Sequence, residues 1–432
     1  MTRQIHFGLF MLGTGNHYAG WRLPGAFDTF TTLEVARAMA EAAERAKFDL
    51  LFLGDGYVAS PDTHPSWQSR AEPLTQLGAI AAMTTRVGLG ATASTTYSDP
   101  FTVARAFASL DHLSSGRAAW NIVTTGREAS GAHFGKTHPD HDKRYEIADE
   151  FHEVVCGLWD CWDDDAVVAD RATGQYVDWS KVRTLDHEGT YFSCKGPLNI
   201  ARSPQGHPII LQAGGSDVGQ RFAAKSADIV FTVIGDYEDA RERYLAMRAR
   251  LVEADRNPDE VCIMPGVMPV VGRTDGDALD RLNELQAFME DGRGLYMLSD
   301  RLGQDLSAYS MDDPVPDLPL ADASHGFARA LLSRAKRENL RIRDLYNITV
   351  AARGHYVLCG SAQTIADEFE KWFTGDAADG FNVMPTHFPG GFDAFVDEVV
   401  PILQQRGLYR SDYSGTTLRD HLGIARPAMP PR

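Results

Sequence analysis

Cysteine is scarce in this chain. Its five cysteines are spread over 432 residues, and none forms a C-x-x-C pair, so neither a disulfide framework nor a zinc ribbon is indicated. Long apolar runs are missing as well, since no stretch approaches the ~18 residues that a membrane helix needs. The N-terminal segment lacks the apolar core of a signal peptide. These absences predict reduced thiols and a cytoplasmic protein that does not enter a membrane.

Basic residues are fewer than acidic ones, with 42 Lys and Arg against 59 Asp and Glu. The formal net charge is −17 and the pI is near 5.2, which argues against a general affinity for nucleic acid or for an anionic membrane. Hydrophobic residues make up 44% of the chain and charged residues 23%, which is ample material for a large core. Composition therefore favours a large folded protein and leaves its function open.

Short apolar runs alternate with longer segments of helical periodicity along the whole chain. A parallel strand pair needs a crossover connection, usually a helix, so this alternation predicts a parallel sheet. Eight such units indicate a closed (β/α)8 barrel. The predicted strands lie at 5–11, 50–55, 86–94, 117–125, 208–214, 228–233, 261–272 and 380–385.

A (β/α)8 barrel usually takes ~250 residues, so considerable chain is left for insertions. We expect residues 1–432 to form a single barrel domain with two of them. Residues 163–206 are aromatic and rich in turn formers, which predicts a small β excursion. Residues 290–357 begin with an irregular stretch rich in Gly, Asp and Pro. Long irregular segments of this kind are often lids or binding loops.

Polar residues follow several predicted strands at the end where barrel enzymes place their active sites. Asp55, Thr92 and Asn121 stand there, and His17 comes shortly after the first strand. Each of them alone could be a turn former or a helix N-cap. Their coincidence makes them candidate site residues.

The turn "AGGS" after the predicted fifth strand contains Gly215 and Ser216. Its glycines permit close backbone approach, and the helix that follows offers free N–H groups to an anion such as a phosphate. A plain capped helix is the alternative. In the segment "HDKRYEIADEF", His141 and Tyr145 are four residues apart and share one helix face.

Two other kinds of site are not indicated. His138 and His141 are near neighbours, but no H-E-x-x-H or comparable constellation follows, so we expect no metal. The segment "GTGNHYAG" lacks the third glycine of a dinucleotide fingerprint, so no Rossmann domain that would bind NADH is expected.

Several motifs in order carry a family resemblance. The segments "FDLLFLGD", "RVGLGATASTTYSDPFTVARAFASLDHLSSGRAAWNIVTT", "HFGKTHPDHDKRYEIADEF", "SPQGHPIILQAGGSDVGQRFAAKSAD" and "RGLYRSDYSGTTLRDHLG" resemble the bacterial-luciferase-like flavin monooxygenases. Within that family the chain is similar to the branch that contains nitrilotriacetate, dibenzothiophene sulfone and long-chain alkane monooxygenases.

The resemblance implies a two-component system with a (β/α)8 barrel as its oxygenase. Reduced FMN from a separate NAD(P)H:flavin reductase would react with O2 to form a flavin peroxide that oxygenates a small organic substrate. Members are often homodimers or homotetramers. A deazaflavin-dependent oxidoreductase of the same superfamily and a flavin-binding barrel without activity are the alternatives.

The resemblance also assigns roles to the candidate residues. Asp55, Thr92 and Asn121 match residues that line the isoalloxazine, and Asn121 is also a catalytic candidate. His141, Tyr145, Gly215 and Ser216 match those that hold the ribityl phosphate. A neutral His17 could hydrogen-bond the oxygenating species or the substrate, or it could simply cap the first loop.

At two places the chain differs from the alkane-oxidising members of the family in ways that concern the substrate. Gly126 replaces a histidine of the alkane-oxidising members, and the segment "GLYMLSDRL" has Leu295, Tyr296, Met297 and Leu298 where they again carry histidine. Alkane oxidation by the same residues is not expected. The departures predict a more open, apolar pocket, with an aromatic or organosulfur compound as the favoured substrate.

Overall fold

The computed structural model describes residues 3–61, 63–289, 291–317 and 325–431. Nine strands of this part form one parallel sheet, and two more form a small antiparallel pair. In chain order the strands are β1 (His6–Phe10), β2 (Leu50–Leu53), β3 (Gly88–Ser94), β4 (Ala118–Val123), β5 (His187–Glu188), β6 (Ser193–Cys194), β7 (Ile209–Gln212), β8 (Ile229–Thr232), β9 (Cys262–Gly272), β10 (Tyr356–Ser361) and β11 (Gly380–Val383).

Eight of these strands close into a barrel. Around the ring the order is β1, β2, β3, β4, β7, β8, β9 and β11, and β11 pairs with β1 to close it. These are the eight strands predicted from the sequence, so the (β/α)8 fold is confirmed. The ninth, β10, was missed. It pairs only with the second half of β9, from Val267 to Gly272, and it begins where the sequence indicated the end of an insertion.

Helices pack around the barrel and over its mouth. They are α1 (Leu33–Arg45), α2 (Pro65–Gln68), α3 (Pro73–Ala81), α4 (Pro100–Leu113), α5 (Ser130–His133), α6 (His141–Trp159), α7 (Asp217–Ser226), α8 (Tyr237–Glu253), α9 (Asp275–Ala287), α10 (Asp291–Leu302), α11 (His325–Glu338), α12 (Ile342–Ala352), α13 (Ala362–Thr374), α14 (Gly390–Ala394), α15 (Val400–Gln405) and α16 (Leu418–Leu422). Capping side chains fix several of their starts. Asp99 caps α4 before a proline at its first position, and Ser216 caps α7.

The segment at 163–206 contains the antiparallel pair β5 and β6. The carboxylate of Glu150 on α6 accepts hydrogen bonds from the backbone N–H groups of Tyr191 and Phe192, at 3.0 and 2.7 Å. Since carboxylates that accept several backbone N–H bonds hold their donors firmly, Glu150 ties this excursion to the barrel.

The segment at 290–357 contains the helices α10, α11 and α12. The sequence predicted an irregular stretch at the start of this segment. That prediction was wrong in part, because the helix α10 lies there. Leu298 and Leu302, four residues apart on α10, are both buried in a cluster with Leu345 and Tyr346 of α12. Burial of this apolar stripe stabilises a helix in spite of its two glycines.

The end of the barrel opposite the strand C-termini is closed by a buried ion pair. Arg410, in the C-terminal segment, donates a hydrogen bond to Asp49, and Asp49 also accepts from the Phe7 N–H at 2.8 Å. The C-terminal segment therefore fixes the N-terminal ends of β1 and β2. In the described part of the chain, no helix combines the length and apolarity required to cross a membrane.

Candidate active site

A cavity of about 600 Å³ opens at the C-terminal ends of the barrel strands. The chain segments that follow β2, β4 and β7 form most of its wall, and α10 and the end of α12 cover one side. Its lining includes Asp55, Tyr57, His64, Trp67, Thr124, Gly126, Arg127, Tyr145, Gln212, Gly214, Tyr296, Met297 and Arg353. The position is the one that barrel enzymes use for catalysis.

Asp55 lies in the cavity wall and is paired with Arg70. The Nε of Arg70 is 3.5 Å from Oδ1 of Asp55, and both side chains are largely buried. The Arg70 guanidinium also packs on the Trp67 ring at 4.7 Å. Burial raises the pKa of Asp55, and the charge of Arg70 opposes that rise. No sequence pattern indicated Arg70, because it follows Asp55 in an irregular connection.

Thr92 and Asn121 are brought together by strand register. They are direct partners in the β3–β4 pairing, and the Asn121 Nδ2 donates to Thr92 Oγ1 at 2.8 Å. Thr92 in turn donates to the Leu53 carbonyl at 2.9 Å. Within the described part of the chain, the buried Oδ1 of Asn121 has no hydrogen-bond partner. A buried acceptor of this kind is costly unless a ligand or a water satisfies it.

The "AGGS" turn and the start of α7 form a concave backbone surface. The Ser216 side chain caps the helix by accepting from the Gly219 N–H at 3.1 Å. A Cβ on Gly219 would lie 2.6 Å from the Tyr145 hydroxyl oxygen, whereas one on Gly215 would have nothing within 4 Å. The hydroxyl and the helix N-terminus therefore meet at one place. We call this place, formed by Tyr145, Gly214, Gly215, Ser216 and Gly219, the α7 cradle.

His141 lies beside the α7 cradle on the first turn of α6. Its ring is 5.3 Å from the Tyr145 ring, centroid to centroid, as the spacing of four residues predicted. The side chain is half exposed, and Nδ1 is 2.8 Å from the Asp142 carboxylate. Arg144 on the same turn is directed away from Tyr145, because its Nη1 donates to the Pro139 carbonyl at 2.8 Å.

His17 is the most completely buried of the candidate residues. It is fully buried in the loop after β1, and its Nδ1 accepts from the Ala19 N–H at 3.1 Å. Burial lowers its pKa from 6.5 to about 4, so the imidazole is neutral at pH 7. The described residues that line the cavity do not include His17, nor do they include Thr92, Asn121, His141, Gly215 or Ser216. The catalytic role of His17 stays a prediction.

Several lining residues were not indicated by the sequence. His64 and Arg353 reach the cavity from a loop and from the end of α12, far apart in the chain. Gln212 ends the fifth barrel strand, and its side chain accepts from the Gly214 N–H. Because Gln212 is a polar residue at the end of a predicted strand, the sequence could have indicated it as a site residue. Of the four apolar residues named on the expected lid, Tyr296 and Met297 line the cavity.

Comparisons with known proteins agree with this geometry. The family model described as luciferase-like monooxygenase matches residues 5–375. The chain belongs to this family. N-acetyl-S-(2-succino)cysteine monooxygenase of Bacillus subtilis (strain 168) is 44% identical over 431 residues, which cover 98% of each chain. Nitrilotriacetate monooxygenase component A of Aminobacter aminovorans is 40% identical and covers 99% of this chain and 98% of its own.

A solved structure also matches this chain. DmoA from Hyphomicrobium sulfonivorans superposes with a TM-score of 0.86 at 30% identity, covering 97% of this chain and 92% of that one. As a luciferase-like monooxygenase, the protein is a flavin-dependent oxidoreductase. One relative is named as component A of its monooxygenase, and a solved riboflavin lyase that is 32% identical contains a modified FMN.

The site has features that suit a flavin mononucleotide. The α7 cradle offers backbone N–H groups, the Ser216 and Tyr145 hydroxyls and open space at Gly215, which is what a phosphate ester requires. The buried Oδ1 of Asn121 has no hydrogen-bond partner among the described residues and can accept one. Among the described residues, no group of three or more His, Cys, Asp or Glu side chains could hold a metal ion.

Proposed function

We propose that this protein binds reduced FMN in the cavity and uses it with O2 to oxidise a small organic substrate. A separate NAD(P)H:flavin reductase would supply the reduced cofactor. The observation that carries the proposal is the α7 cradle, two of whose residues, Tyr145 and Gly214, line the cavity. When bound, reduced FMN supplies the electrons that activate O2. The whole chain would act as one domain.

The α7 cradle would hold the phosphate. Backbone N–H groups at a helix N-terminus favour an anion through their partial positive charge, and the hydroxyls of Ser216 and Tyr145 add donors to the same place. His141 is close enough to Tyr145 to contribute from the rim. These residues orient the cofactor and take no part in the oxidation itself.

Asp55, Thr92 and Asn121 would face the ring system. Thr92 fixes the Asn121 amide through Nδ2 and so leaves Oδ1 as a buried acceptor. Asp55 is kept in place by Arg70. Side chains held by neighbours in this way preorganise a site, because little reorganisation is needed when a ligand binds.

The role proposed for His17 is that of a neutral hydrogen-bonding group near the reacting atoms. Its Nδ1 is engaged by the Ala19 N–H, so the proton of the neutral ring is on Nε2. The role requires the first loop to bring Nε2 to the cavity surface. We expect His17→Asn to lower kcat by at least about a hundredfold, the low end for a positioned acid or base, while FMN affinity is kept.

The substrate is proposed to be a small organosulfur compound. A Cβ on Gly126 would have nothing within 4 Å, so the cavity is open on the side where alkane-oxidising members carry a histidine. Tyr57, Trp67 and Met297 supply apolar surface. The similarity to a monooxygenase named for N-acetyl-S-(2-succino)cysteine makes that thioether the first candidate.

We propose that the protein self-associates into a homodimer or homotetramer. The excursion at 163–206 exposes Val167, Val168, Tyr176 and Trp179, and the last two are 70% and 67% exposed. Clusters of exposed apolar side chains mark interaction surfaces. Light scattering after size exclusion tests this directly. Wild type should be dimeric or larger, and Trp179→Ser should shift it toward the monomer.

The test of the function is incorporation of ¹⁸O from ¹⁸O2. The purified protein is mixed with a flavin reductase, NADH, FMN and N-acetyl-S-(2-succino)cysteine, and the product is analysed by mass spectrometry. Labelled product that needs all components supports the proposal. Oxidation with reduced deazaflavin and not with reduced FMN would contradict it, as would tight flavin binding without oxygen transfer to any thioether tested.

A further inference from the structure

Arg70 is a buried arginine whose nitrogen atoms are only partly satisfied. Its side chain is 7% exposed, and its Nη2 donates to the Gly54 carbonyl. Within the described part of the chain, its Nε and Nη1 are buried without a hydrogen-bond partner. Desolvation of such groups is costly, and burial lowers the pKa of Arg70. A buried charge that costs this much is expected to stabilise a neighbouring group.

The neighbouring group is the carboxylate of Asp55. The Nε of Arg70 is 3.5 Å from Oδ1 of Asp55, whose side chain is 17% exposed and lines the cavity. This separation allows attraction between the two charges, but it is too long for a good hydrogen bond. Arg70 therefore supplies a charge to Asp55 and does not occupy the carboxylate oxygens as acceptors.

Packing fixes the guanidinium of Arg70 beside Asp55. The guanidinium lies over the Trp67 ring at 4.7 Å, and that ring lies against the connection after β2. A Cβ on Gly56 would be 3.0 Å from the Trp67 ring, and one on Gly54 would be 3.4 Å from it. Stacking on an aromatic face restrains the plane of a guanidinium. The position of the charge is thus set by the fold.

The charge of Arg70 opposes the protonation of Asp55. Burial raises the pKa of Asp55 and the Glu72 carboxylate adds to that rise, whereas Arg70 and the Gly56 N–H oppose it. Removing Arg70 would leave a buried carboxyl group that takes up a proton more readily. An ionised carboxylate only accepts hydrogen bonds, while a protonated one also donates. Arg70 therefore decides which kind of hydrogen bond Asp55 can offer to a ligand in the cavity.

A hydrogen-bond acceptor in this wall distinguishes the two redox states of a flavin. The reduced ring system has an N–H at N5, where the oxidised ring has a bare nitrogen that can only accept. An ionised carboxylate bonds to such an N–H and repels the lone pair of the bare nitrogen. Reduced flavin also loses a proton readily to become an anion, and the charge of Arg70 offsets the repulsion between that anion and Asp55.

We propose that Arg70 is a positioning residue that keeps Asp55 as an ionised acceptor, and that this pair makes the cavity select reduced FMN over oxidised FMN. The inference rests on the proposed function, since it concerns how the same cavity chooses the redox state of its cofactor. Arg70 is not among the described residues that line the cavity, so it acts through Asp55.

The experiment measures the Kd for oxidised FMN and, under anaerobic conditions, the Kd for reduced FMN by fluorescence titration of the same protein. In wild type we expect reduced FMN to bind at least about tenfold more tightly, which raises the midpoint potential of the bound two-electron couple by about 30 mV. Arg70→Met should bring the two Kd values to within about twofold of each other, because the charge-assisted bond is lost. A partial loss of folded protein affects both titrations alike and leaves their ratio unchanged.

Three further variants show whether Arg70 acts through Asp55. Arg70→Lys keeps a charge without the planar group that stacks on Trp67, so it should retain part of the preference. Asp55→Asn removes the ionised acceptor and should abolish the preference. The double variant of Arg70→Met with Asp55→Asn should match Asp55→Asn alone, because residues that act as a unit are not additive.

Arg243→Met is the matched control. It breaks an Arg–Asp pair on α8, in which the Nε of Arg243 is 2.7 Å from Oδ1 of Asp239, and neither residue is among the described residues that line the cavity. Its ratio of the two Kd values should equal that of wild type.

Equal Kd values for the two redox states in wild type would overturn the inference, and so would a wild-type ratio in Arg70→Met. A double variant whose ratio differs from that of Asp55→Asn would also overturn it, because Arg70 would then act on the flavin by another route. Absence of binding by wild type in both redox states would contradict the proposed function itself, and with it the inference.

Discussion

The hydroxyl of Tyr145 packs directly against Gly219. Tyr145 comes from α6 and Gly219 from the first turn of α7, and a Cβ at residue 219 would be 2.6 Å from the hydroxyl oxygen and 2.9 Å from the Cα of Gly214. Real Cβ atoms do not approach other atoms so closely. A glycine is therefore needed here for close approach, and the approach is what builds the α7 cradle.

Gly219→Ala should disrupt the α7 cradle. The added methyl must displace Tyr145 or the Gly214 backbone, and overpacking of this kind costs about 1–3 kcal/mol. We expect the Kd for reduced FMN to rise by at least about tenfold, which is 1.4 kcal/mol, as measured by anaerobic titration.

Gly78→Ala is the matched control for that change. Gly78 is an exposed residue inside α3, and a Cβ there would have nothing within 4 Å. It should gain about 0.5–1 kcal/mol of stability from helix propensity and keep wild-type FMN affinity. If the Kd for reduced FMN were unchanged in both variants, Gly219 would not contribute to the flavin site.

Ser216→Ala tests whether the cap also contacts the cofactor. Losing an N-cap costs about 1 kcal/mol, so a stability loss alone would not be informative. Thr274→Ala removes the equivalent cap of α9, where the side chain accepts from the Asp277 N–H at 3.1 Å. Both variants should lose similar stability in denaturant titrations, and only Ser216→Ala should lose FMN affinity. Equal FMN affinity in the two would mean that Ser216 is a cap and nothing more.

The sequence was sufficient for the barrel and for part of the site. Strand and helix alternation is a local property, so all eight barrel strands were predicted, and a spacing of four residues put His141 next to Tyr145. Arg70 and Arg353 could not be predicted in the same way. Their partners Asp55 and Phe10 are set by how loops cross the barrel mouth, which no periodicity encodes. The short strand β10 was not predicted for a similar reason. It pairs with β9 alone among the described strands, and that pairing is set by the tertiary fold.

Asp49→Asn should destabilise the fold strongly. Burial alone would raise the pKa of Asp49, but the charges of Arg410 and His6 and the Phe7 N–H together hold it below 3.8. Breaking a buried pair leaves Arg410 uncompensated and costs about 3–5 kcal/mol. Because the folded pKa is depressed, the stability from Asp49 is present above pH 3.8 and is lost as pH falls through the folded pKa.

For Asp49→Asn we expect a lower urea midpoint at pH 7 than in wild type. We also expect this variant to lose less stability in acid than wild type does. Asp412→Asn is the control, since that carboxylate is 81% exposed in its pair with Lys47, and its midpoint should not move. A midpoint for Asp49→Asn equal to that of wild type would contradict the assignment of this pair as the closure of the barrel.

The buried His17 should make stability depend on pH in mild acid. Its folded pKa of about 4 lies below the ordinary histidine value of 6.5, so the unfolded chain binds one more proton between these two pH values, and stability falls as pH drops through that window. The loss from this residue reaches about 3 kcal/mol at 1.36 kcal/mol per unit. His17→Asn keeps an acceptor for the Ala19 N–H and should flatten the slope of unfolding free energy against pH by about one proton. An unchanged slope would mean that His17 is already accessible to protons in the native state.

The most direct test of the flavin site is a comparison of reduced FMN with reduced riboflavin, which lacks the phosphate. Both are titrated anaerobically into wild type and into Tyr145→Phe and Ser216→Ala, and the Kd values are compared. The α7 cradle predicts that wild type binds reduced FMN at least about tenfold more tightly and that each variant loses much of this difference. Equal affinities for the two flavins in wild type would contradict the placement of the phosphate, and with it the flavin site described above.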